Sequence, residues 1–183
     1  MMNKQKIYGI TFVPRRLYNL LLVALFAIIV NTFCVSTIGK NSIDTKIIDI
    51  YGSQNIECIV DAIAGEAIGE PAEGQKAIVE VIVNRSKIAN YPDTFCEVVH
   101  QNKQFSYLNG DGKYKRIYNH PEKVYELTKM VHKHLYDIQK NPKARVMPSC
   151  VTHFDGKAFK KPYWASEMNM VKEIGGHQFY CVK

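Results

Sequence analysis

The N-terminal part of this 183-residue chain contains 23 consecutive residues, 17–39, without a charged side chain. Most of them are strongly apolar, and about 20 such residues are enough for a helix to cross the hydrocarbon core of a bilayer. Basic side chains precede the run within residues 1–16, whereas only Lys40 follows it closely. This asymmetry predicts a cytoplasmic N-terminus, with everything after the run on the other side of the membrane. A transmembrane helix and a cleaved signal peptide share this layout, so both interpretations stay open.

The rest of the chain predicts one domain of ordinary size, 54–183, joined to the apolar run by a polar linker, 40–53. Apolar residues from Ile56 to Ala67 recur at spacings of three and four, which is the pattern of an amphipathic helix. Ser53 is the expected N-cap of this helix.

Three further helices and a small β element are expected after it. The second helix should begin at Pro71 and end near Tyr91, a short one should cover 94–101, and a long one should run from Pro121 to Asn141. Residues 144–183 have no helical period, and the apolar stretch 151–154 could form a strand. We therefore expect an α+β fold, mainly α, that follows the N-terminal transmembrane or signal segment in the chain.

Charge is distributed unevenly along the chain, whose formal net charge is +7. Residues 41–98 carry ten acidic and four basic side chains, whereas residues 99–183 carry fifteen basic and seven acidic ones. A basic surface can meet nucleic acid, anionic lipid or anionic polymers. Because the basic residues are scattered over predicted helices and loops, a solvated face explains most of them, and we expect no nucleic-acid partner and a monomer.

Four cysteines lie in the predicted domain, and Cys34 lies in the apolar run. An even number of cysteines in a domain that faces an oxidising space is compatible with disulfides. Four cysteines allow three full pairings, and buried free thiols are an equally good explanation. The spacing of Cys58, Cys96, Cys150 and Cys181 does not decide among these possibilities.

Three glutamates, Glu66, Glu70 and Glu73, follow one another at the end of the first predicted helix. Helix spacing puts Glu66 on the side of Ile59 and Ile63, partly facing the core. A carboxyl group beside an apolar wall and other carboxylates is stabilised in its protonated form, which a general acid for glycosidic cleavage needs. Glu70 and Glu73 are explained more simply as acids at the start of a helix. A purely structural explanation is weaker for Glu66, because the helix dipole disfavours an acid near a helix C-terminus.

Six short blocks of sequence around and after Glu66 follow one another in a recognisable order. They are 64–77 (AGEAIGEPAEGQKA), 83–85 (VNR), 104–106 (QFS), 153–154 (HF), 162–164 (PYW) and 174–180 (IGGHQFY). Together they resemble the bacterial cell-wall hydrolase family typified by the spore cortex-lytic enzymes. Any single block is weakly specific, but several in this order are strongly so, and the resemblance covers residues 56–183.

The resemblance implies a lysozyme-like, mainly helical domain that acts on the glycan strands of peptidoglycan outside the cytoplasm. It implies that Glu66 is the catalytic acid/base. It also implies a set of substrate-contacting residues, which are Glu70, Gln104, Phe105, Ser106, His153, Tyr163, Trp164 and His177. Two basic clusters, 113–116 and 160–161, depart from the family pattern and leave the exact substrate open. Asn84 and Arg85 are expected to support the fold.

With one clear catalytic carboxylate, the chemistry of a lytic transglycosylase is the better prediction. Glu66 would protonate the glycosidic oxygen between N-acetylmuramic acid and N-acetylglucosamine, and would then deprotonate the muramic 6-hydroxyl that attacks the anomeric carbon. A hydrolase would need a second carboxylate near the sugar, and Glu70, Glu73 or Asp155 could supply it.

Two alternatives belong to other functional classes. His153 and His177 could meet a Cys or Asp in space, as a zinc-dependent N-acetylmuramoyl-L-alanine amidase would require, but no metal-ligand spacing occurs in the sequence. The basic C-terminal half could instead belong to a non-catalytic wall-binding or nucleic-acid-binding protein. We expect neither a metal nor another cofactor.

Overall fold

A computed structural model of the chain describes residues 51–110, 112–157 and 160–183. The predicted membrane or signal segment, 17–39, lies outside these residues, as does nearly all of the predicted linker. Within the described ranges, no helix combines the length and the apolar character needed to cross a membrane.

In the described part of the chain, four α-helices precede a three-stranded antiparallel sheet. The helices are α1 (Ser53–Glu66), α2 (Ala72–Arg85), α3 (Phe95–His100) and α4 (Pro121–Lys140). The strands are β1 (Val151–Gly156), β2 (Met168–Ile174) and β3 (His177–Val182), in the spatial order β1-β3-β2. Short 3-10 segments cover Ser106–Asn109, Lys113–Asn119, Pro142–Ala144 and Tyr163–Glu167. The prediction of a mainly helical fold with a small β element is confirmed.

Helix α1 forms where the apolar spacing predicts it, because its apolar residues line one face and are buried in the core. It begins one residue earlier than predicted, because Ser53 was expected to be the N-cap. The N-cap is Gly52, whose φ of 76° suits a residue without a side chain, and Ser53 is the first helical residue. At the other end, the N–H of Ala67 donates to the carbonyl of Ile63 at 2.8 Å and closes the last turn beside Glu66.

Helix α2 is the central element and is buried over nearly its whole second half, rather than on one side only. It starts after Pro71, which is its N-cap instead of its first residue. It also ends at Arg85, earlier than the predicted stop at Tyr91. The reason is that the amides after Arg85 close tight turns, as when the Ile88 N–H donates to the Arg85 carbonyl at 3.0 Å.

Polar side chains at the end of α2 hold the helix to the sheet. Asn84 Nδ2 donates to the carbonyl of Val151 at 2.7 Å, and Arg85 Nε donates to the carbonyl of Thr152 at 2.7 Å. The register of β1 on β3 shifts at Thr152, and this bulge leaves its carbonyl free for Arg85. The predicted supporting role of Asn84 and Arg85 is confirmed.

The four cysteines of the domain form two disulfides. Cys58–Cys96 links α1 to α3, and Cys150–Cys181 links the start of β1 to β3. This pairing is one of the three that the sequence allows.

Candidate active site

Glu66 is half-buried at the C-terminal end of α1, and two donors meet at one of its oxygens. Ser106 Oγ donates to Oε1 at 3.0 Å, and the backbone N–H of Tyr107 donates to the same oxygen at 3.2 Å. Among the described residues, no donor reaches Oε2. The carboxyl group is therefore held in one orientation with one oxygen left open for a proton.

The donors come close to Glu66 because Gly65 has no side chain. A methyl group at position 65 would overlap the ring of Tyr107, which packs directly on the end of α1. The same ring meets Tyr114 edge-on, with centroids 4.6 Å apart. Burial, with nearby negative charge from Asp61 among the further causes, raises the pKa of the Tyr107 phenol, so the hydroxyl stays protonated at neutral pH.

Glu70 is engaged by the turn between β2 and β3. The N–H of Gly176 donates to Glu70 Oε2 at 2.8 Å, and His177 Nδ1 lies 3.6 Å from Oε1. Gly175 has a φ of 56°, and a side chain at Gly175 would collide with the carboxylate. The structure thus gives Glu70 a role in fixing this turn.

Glu73 lies in the first turn of α2, as predicted, and forms an exposed ion pair with Lys172 at 2.6 Å. Together with the Glu70 contact, this pair means that the first two acids after Glu66 in the sequence already have partners in the fold. Asp155 on β1 is half-buried.

Two predicted substrate-contacting residues lie mostly beneath the surface. Phe105 is only 1% exposed and packs between the ring of Phe154, 6.1 Å away, and the guanidinium of Arg85, 5.4 Å away. The ring of Phe105 is therefore enclosed by the core, and its contact with a substrate stays a prediction. His177 is 8% exposed, with its ring edge-on to Phe154 at 5.5 Å, and it lies just beyond hydrogen-bond distance of Glu70.

The other predicted contact residues reach the surface. Gln104 and Ser106 are exposed, and Tyr163 is 86% exposed. Trp164 is half-buried, with its ring 5.1 Å from that of His153 and perpendicular to Tyr180 at 5.4 Å. These contacts hold the ring of Trp164 in place, whereas the ring of Tyr163 projects into solvent.

His153 is neutral at neutral pH. Burial, with a smaller contribution from the positive charge of Arg85, lowers its pKa to about 4. Thr152 Oγ1 lies 2.9 Å from its Nδ1. An uncharged imidazole beside Trp164 can pack on the indole and exchange hydrogen bonds with a sugar, but it does not act as a cation there.

Sequence reasoning missed two residues. Tyr107 directly follows the 104–106 block, and its amide contact with Glu66 depends on the fold. Glu80 is fully buried, where it accepts from the N–H groups of Val146 and Met147 and pairs with His134 Nε2 at 2.8 Å. The signal for Glu80 was a single charge within the apolar run 77–83, which implies a buried partner.

The residues that a zinc site would need do not come together as a ligand set in the described ranges. The four cysteines are in disulfides, and His153 and His177 lie opposite different β-strand partners, Tyr180 and Gly156. Within 51–110, 112–157 and 160–183, no group of three or more His, Cys, Asp or Glu side chains is arranged to hold a metal.

Comparison with known proteins places the chain in context. Residues 69–180 match the family described as Cell Wall Hydrolase, so Glu66 lies just before the matched stretch. Spore cortex-lytic enzymes from Oceanobacillus iheyensis and Bacillus cereus are 41% identical over 56 residues and 34% identical over 62 residues. These segments are 31% and 34% of this chain but only 20% and 24% of the relatives' length.

Two solved structures share the fold. The catalytic domain of the germination-specific lytic transglycosylase SleB from Bacillus anthracis has a TM-score of 0.53 and 25% identity, over 72% of this chain and 96% of that one. The catalytic domain of the Bacillus cereus SleB protein has a TM-score of 0.50 and 26% identity, over 70% of this chain and 91% of that one.

Proposed function

The chain belongs to the cell wall hydrolase family, and on that basis we propose that residues 54–183 form a catalytic domain that cleaves peptidoglycan. The bond is the one between N-acetylmuramic acid and N-acetylglucosamine in the glycan strand, and Glu66 is the acid/base. The observation that carries this proposal is the convergence of Ser106 and Tyr107 on a single oxygen of Glu66.

The reaction needs one carboxyl group in two protonation states. Protonated Glu66 donates its proton from Oε2 to the glycosidic oxygen as the bond to the anomeric carbon of the muramic residue breaks. The resulting carboxylate then removes the proton of the muramic 6-hydroxyl, whose oxygen bonds to the same carbon. The products are a 1,6-anhydromuramic end and a free 4-hydroxyl, and Glu66 returns to its protonated state. No water is consumed.

The contacts of the other acids favour this route over hydrolysis. A retaining hydrolase needs a second carboxylate about 5 Å from the first, and an inverting one needs it further away with room for a water. Glu70 is engaged by the Gly176 amide and Glu73 by Lys172. Neither acid is free to act as nucleophile or base while it keeps these partners. Asp155 is the remaining candidate if hydrolysis occurs.

Roles for the surrounding residues follow from their exposure. Trp164 and Tyr163 offer ring faces on which the C–H surfaces of pyranose rings can pack. Gln104, Ser106 and His153 can hydrogen-bond hydroxyl and N-acetyl groups. Glu70, Phe105 and His177 support the site indirectly. Their contacts fix the loop and the sheet that carry the substrate-facing side chains.

The domain is proposed to work outside the cytoplasm, held there by residues 17–39 or released after their cleavage. Its disulfides Cys58–Cys96 and Cys150–Cys181 are compatible with an oxidising compartment. Peptidoglycan lies on that side of the membrane, so a domain located there has access to its proposed substrate.

Product analysis tests the proposal. Purified peptidoglycan is digested with the wild-type chain, and the released fragments are identified by mass spectrometry. Anhydromuramic ends are expected, lighter by one water than the reducing ends that a hydrolase leaves. Reducing muramic ends would indicate a hydrolase and direct attention to Asp155. Release of peptides without sugar cleavage would instead indicate an amidase and overturn the proposal.

A further inference from the structure

The 3-10 segment Lys113–Asn119 packs against α1 near Glu66 and carries aromatic and basic side chains that the proposed reaction does not use. A 3-10 helix has about three residues per turn, so residues three positions apart share a face. Tyr114 and Ile117 accordingly turn toward the domain, whereas Lys115 and Tyr118 share an exposed face. Its basic residues are those that depart from the family pattern in the sequence.

Two tyrosines connect this segment to the catalytic carboxyl group. The N–H of Tyr107 donates to Glu66 Oε1 at 3.2 Å, and the Tyr107 ring meets the ring of Tyr114 at 4.6 Å between centroids. Lys115 Nζ lies 5.9 Å from the centroid of the Tyr114 ring, within the range of a cation–π contact. A row of contacts therefore runs from Glu66 through the backbone and ring of Tyr107 and the ring of Tyr114 to the exposed ammonium group of Lys115.

The cation of this row, Lys115, and the next residue in sequence, Arg116, are available to a ligand. Lys115 and Arg116 are exposed, and in the described part of the chain no acidic side chain pairs with either of them. Two acids on α1 face the segment. Asp61 Oδ1 accepts from the hydroxyl of Tyr118 at 2.7 Å, and Glu57 contributes negative charge near the same hydroxyl. Asp61 is thus occupied by Tyr118.

We propose that Tyr114, Lys115 and Arg116 form a subsite for carboxylate groups carried by the substrate strand. This inference rests on the proposed function, because the strand must pass Glu66 for the subsite to meet it. The muramic residues of peptidoglycan bear peptides with free carboxylates, and Lys and Arg bind carboxylates through charge-assisted hydrogen bonds. The tyrosine ring supplies an apolar surface beside the cations. The enzyme therefore prefers strands whose carboxylates are free over strands of the same length without them.

A substrate that differs only in charge tests the subsite. Walls freed of phosphate-containing polymers are compared before and after carbodiimide and ammonia convert their carboxylates to amides, and walls that retain those polymers are assayed in parallel. The full chain is assayed by the release of soluble fragments, with the Lys115→Gln/Arg116→Gln variant alongside. Exposed ion pairs contribute little each, so we expect the variant to lose about 3- to 10-fold in kcat/KM on untreated walls and less than about 2-fold on amidated walls.

A matched control removes the same two charges elsewhere. Lys140 lies about 28 Å along α4 from Pro121, at 1.5 Å per residue, and its Nζ is 6.0 Å from the centroid of the Tyr136 ring, as Lys115 is beside Tyr114. Lys143 is exposed in the next segment, Pro142–Ala144. The Lys140→Gln/Lys143→Gln variant should stay within about 2-fold of wild type on both substrates. Cooperative thermal unfolding of both variants near the wild-type temperature shows that charge, and not folding, is being compared.

The outcomes separate the subsite from the proposed function. Equal wild-type rates on the two walls, or an equal loss by the Lys115/Arg116 variant on both, would overturn the subsite and leave the reaction standing. A defect seen only on walls that retain their phosphate polymers would assign the cations to phosphate and also overturn it. If the wild type releases no sugar fragment from either wall, the proposed function fails and the subsite with it.

Discussion

The carboxylate of Glu70 accepts a hydrogen bond from the backbone N–H of Gly176 at 2.8 Å, across a sequence separation of 106 residues. Glu70 lies in the loop between α1 and α2, and Gly176 lies in the turn between β2 and β3. The first and last blocks of the sequence resemblance therefore meet at one contact. It ties the loop that follows Glu66 to the sheet on which Trp164 packs.

Replacement of Glu70 should destabilise the domain. Glu70→Ala removes the hydrogen bond that the exposed Gly176 amide donates to the Glu70 carboxylate, whose side chain is mostly buried. Hydrogen bonds to charged groups contribute about 1.5–3 kcal/mol of unfolding free energy. Glu73→Ala is the matched control, because it removes only an exposed ion pair with Lys172 and should cost less than about 1 kcal/mol. Urea unfolding followed by circular dichroism measures both. Equal unfolding free energies of the two variants would mean that the Glu70 contact stabilises the fold no more than the exposed Glu73 ion pair does.

Glu66→Gln should remove wall cleavage while the fold persists. Glutamine keeps the shape and can still accept from Ser106 and Tyr107, but it cannot donate or take up the catalytic proton. The expected loss of rate is about 10²–10⁴-fold or more. Fragment release from purified walls gives the rate, and thermal unfolding gives the stability. Glu73→Gln, the control, should retain nearly full activity. Full activity of Glu66→Gln would end its assignment as acid/base.

Gly65→Ala should impair turnover more than binding. The added methyl group overlaps the Tyr107 ring, so the ring and the amide that orients Glu66 must move. Gly69→Ala is a close control, because a Cβ at Gly69 meets nothing within 4 Å and Gly69 is not among the glycines with positive φ. We expect kcat to fall by more than about 10-fold for Gly65→Ala at nearly constant KM, and to hardly change for Gly69→Ala.

A double-variant cycle checks the physical cause. In a Tyr107→Ala background the ring is absent, so adding Gly65→Ala should cause little further loss. If the two substitutions instead reduce kcat independently, the effect of Gly65 does not pass through Tyr107.

The free energy of unfolding should decrease as the pH falls, and His153 should account for part of that decrease. Its pKa is about 4 in the folded protein and near 6.5 when unfolded, so between these values the unfolded chain binds more protons. Stability is therefore lost as the pH falls from about 6.5 to about 4. Because His153 is only half-buried, we discount the contribution to on the order of 1–2 kcal/mol. In urea titrations at pH 7, 5.5 and 4.5, His153→Gln should show a shallower decline than wild type. Parallel declines would contradict this assignment.

Local patterns in the sequence determined most of the secondary structure. The three- and four-residue apolar spacing of α1 and the prolines that begin and end α4 act within one or two turns of chain, so they can be found without a fold. The position of Glu66 in the last turn of α1 follows from the same spacing. The predicted substrate-contacting residues came from ordered motifs, whose members are far apart in sequence but individually recognisable.

Only the tertiary structure decided which groups meet. The choice among three cysteine pairings, the enclosure of Phe105, the burial of Glu80 against His134 and the contact between Glu70 and Gly176 all join residues 20 or more positions apart. No local propensity encodes such contacts, because each depends on how helices and strands pack. The same holds for the reach of Tyr107 to Glu66: Gly65 permits it, but packing alone directs the amide of Tyr107 to that oxygen.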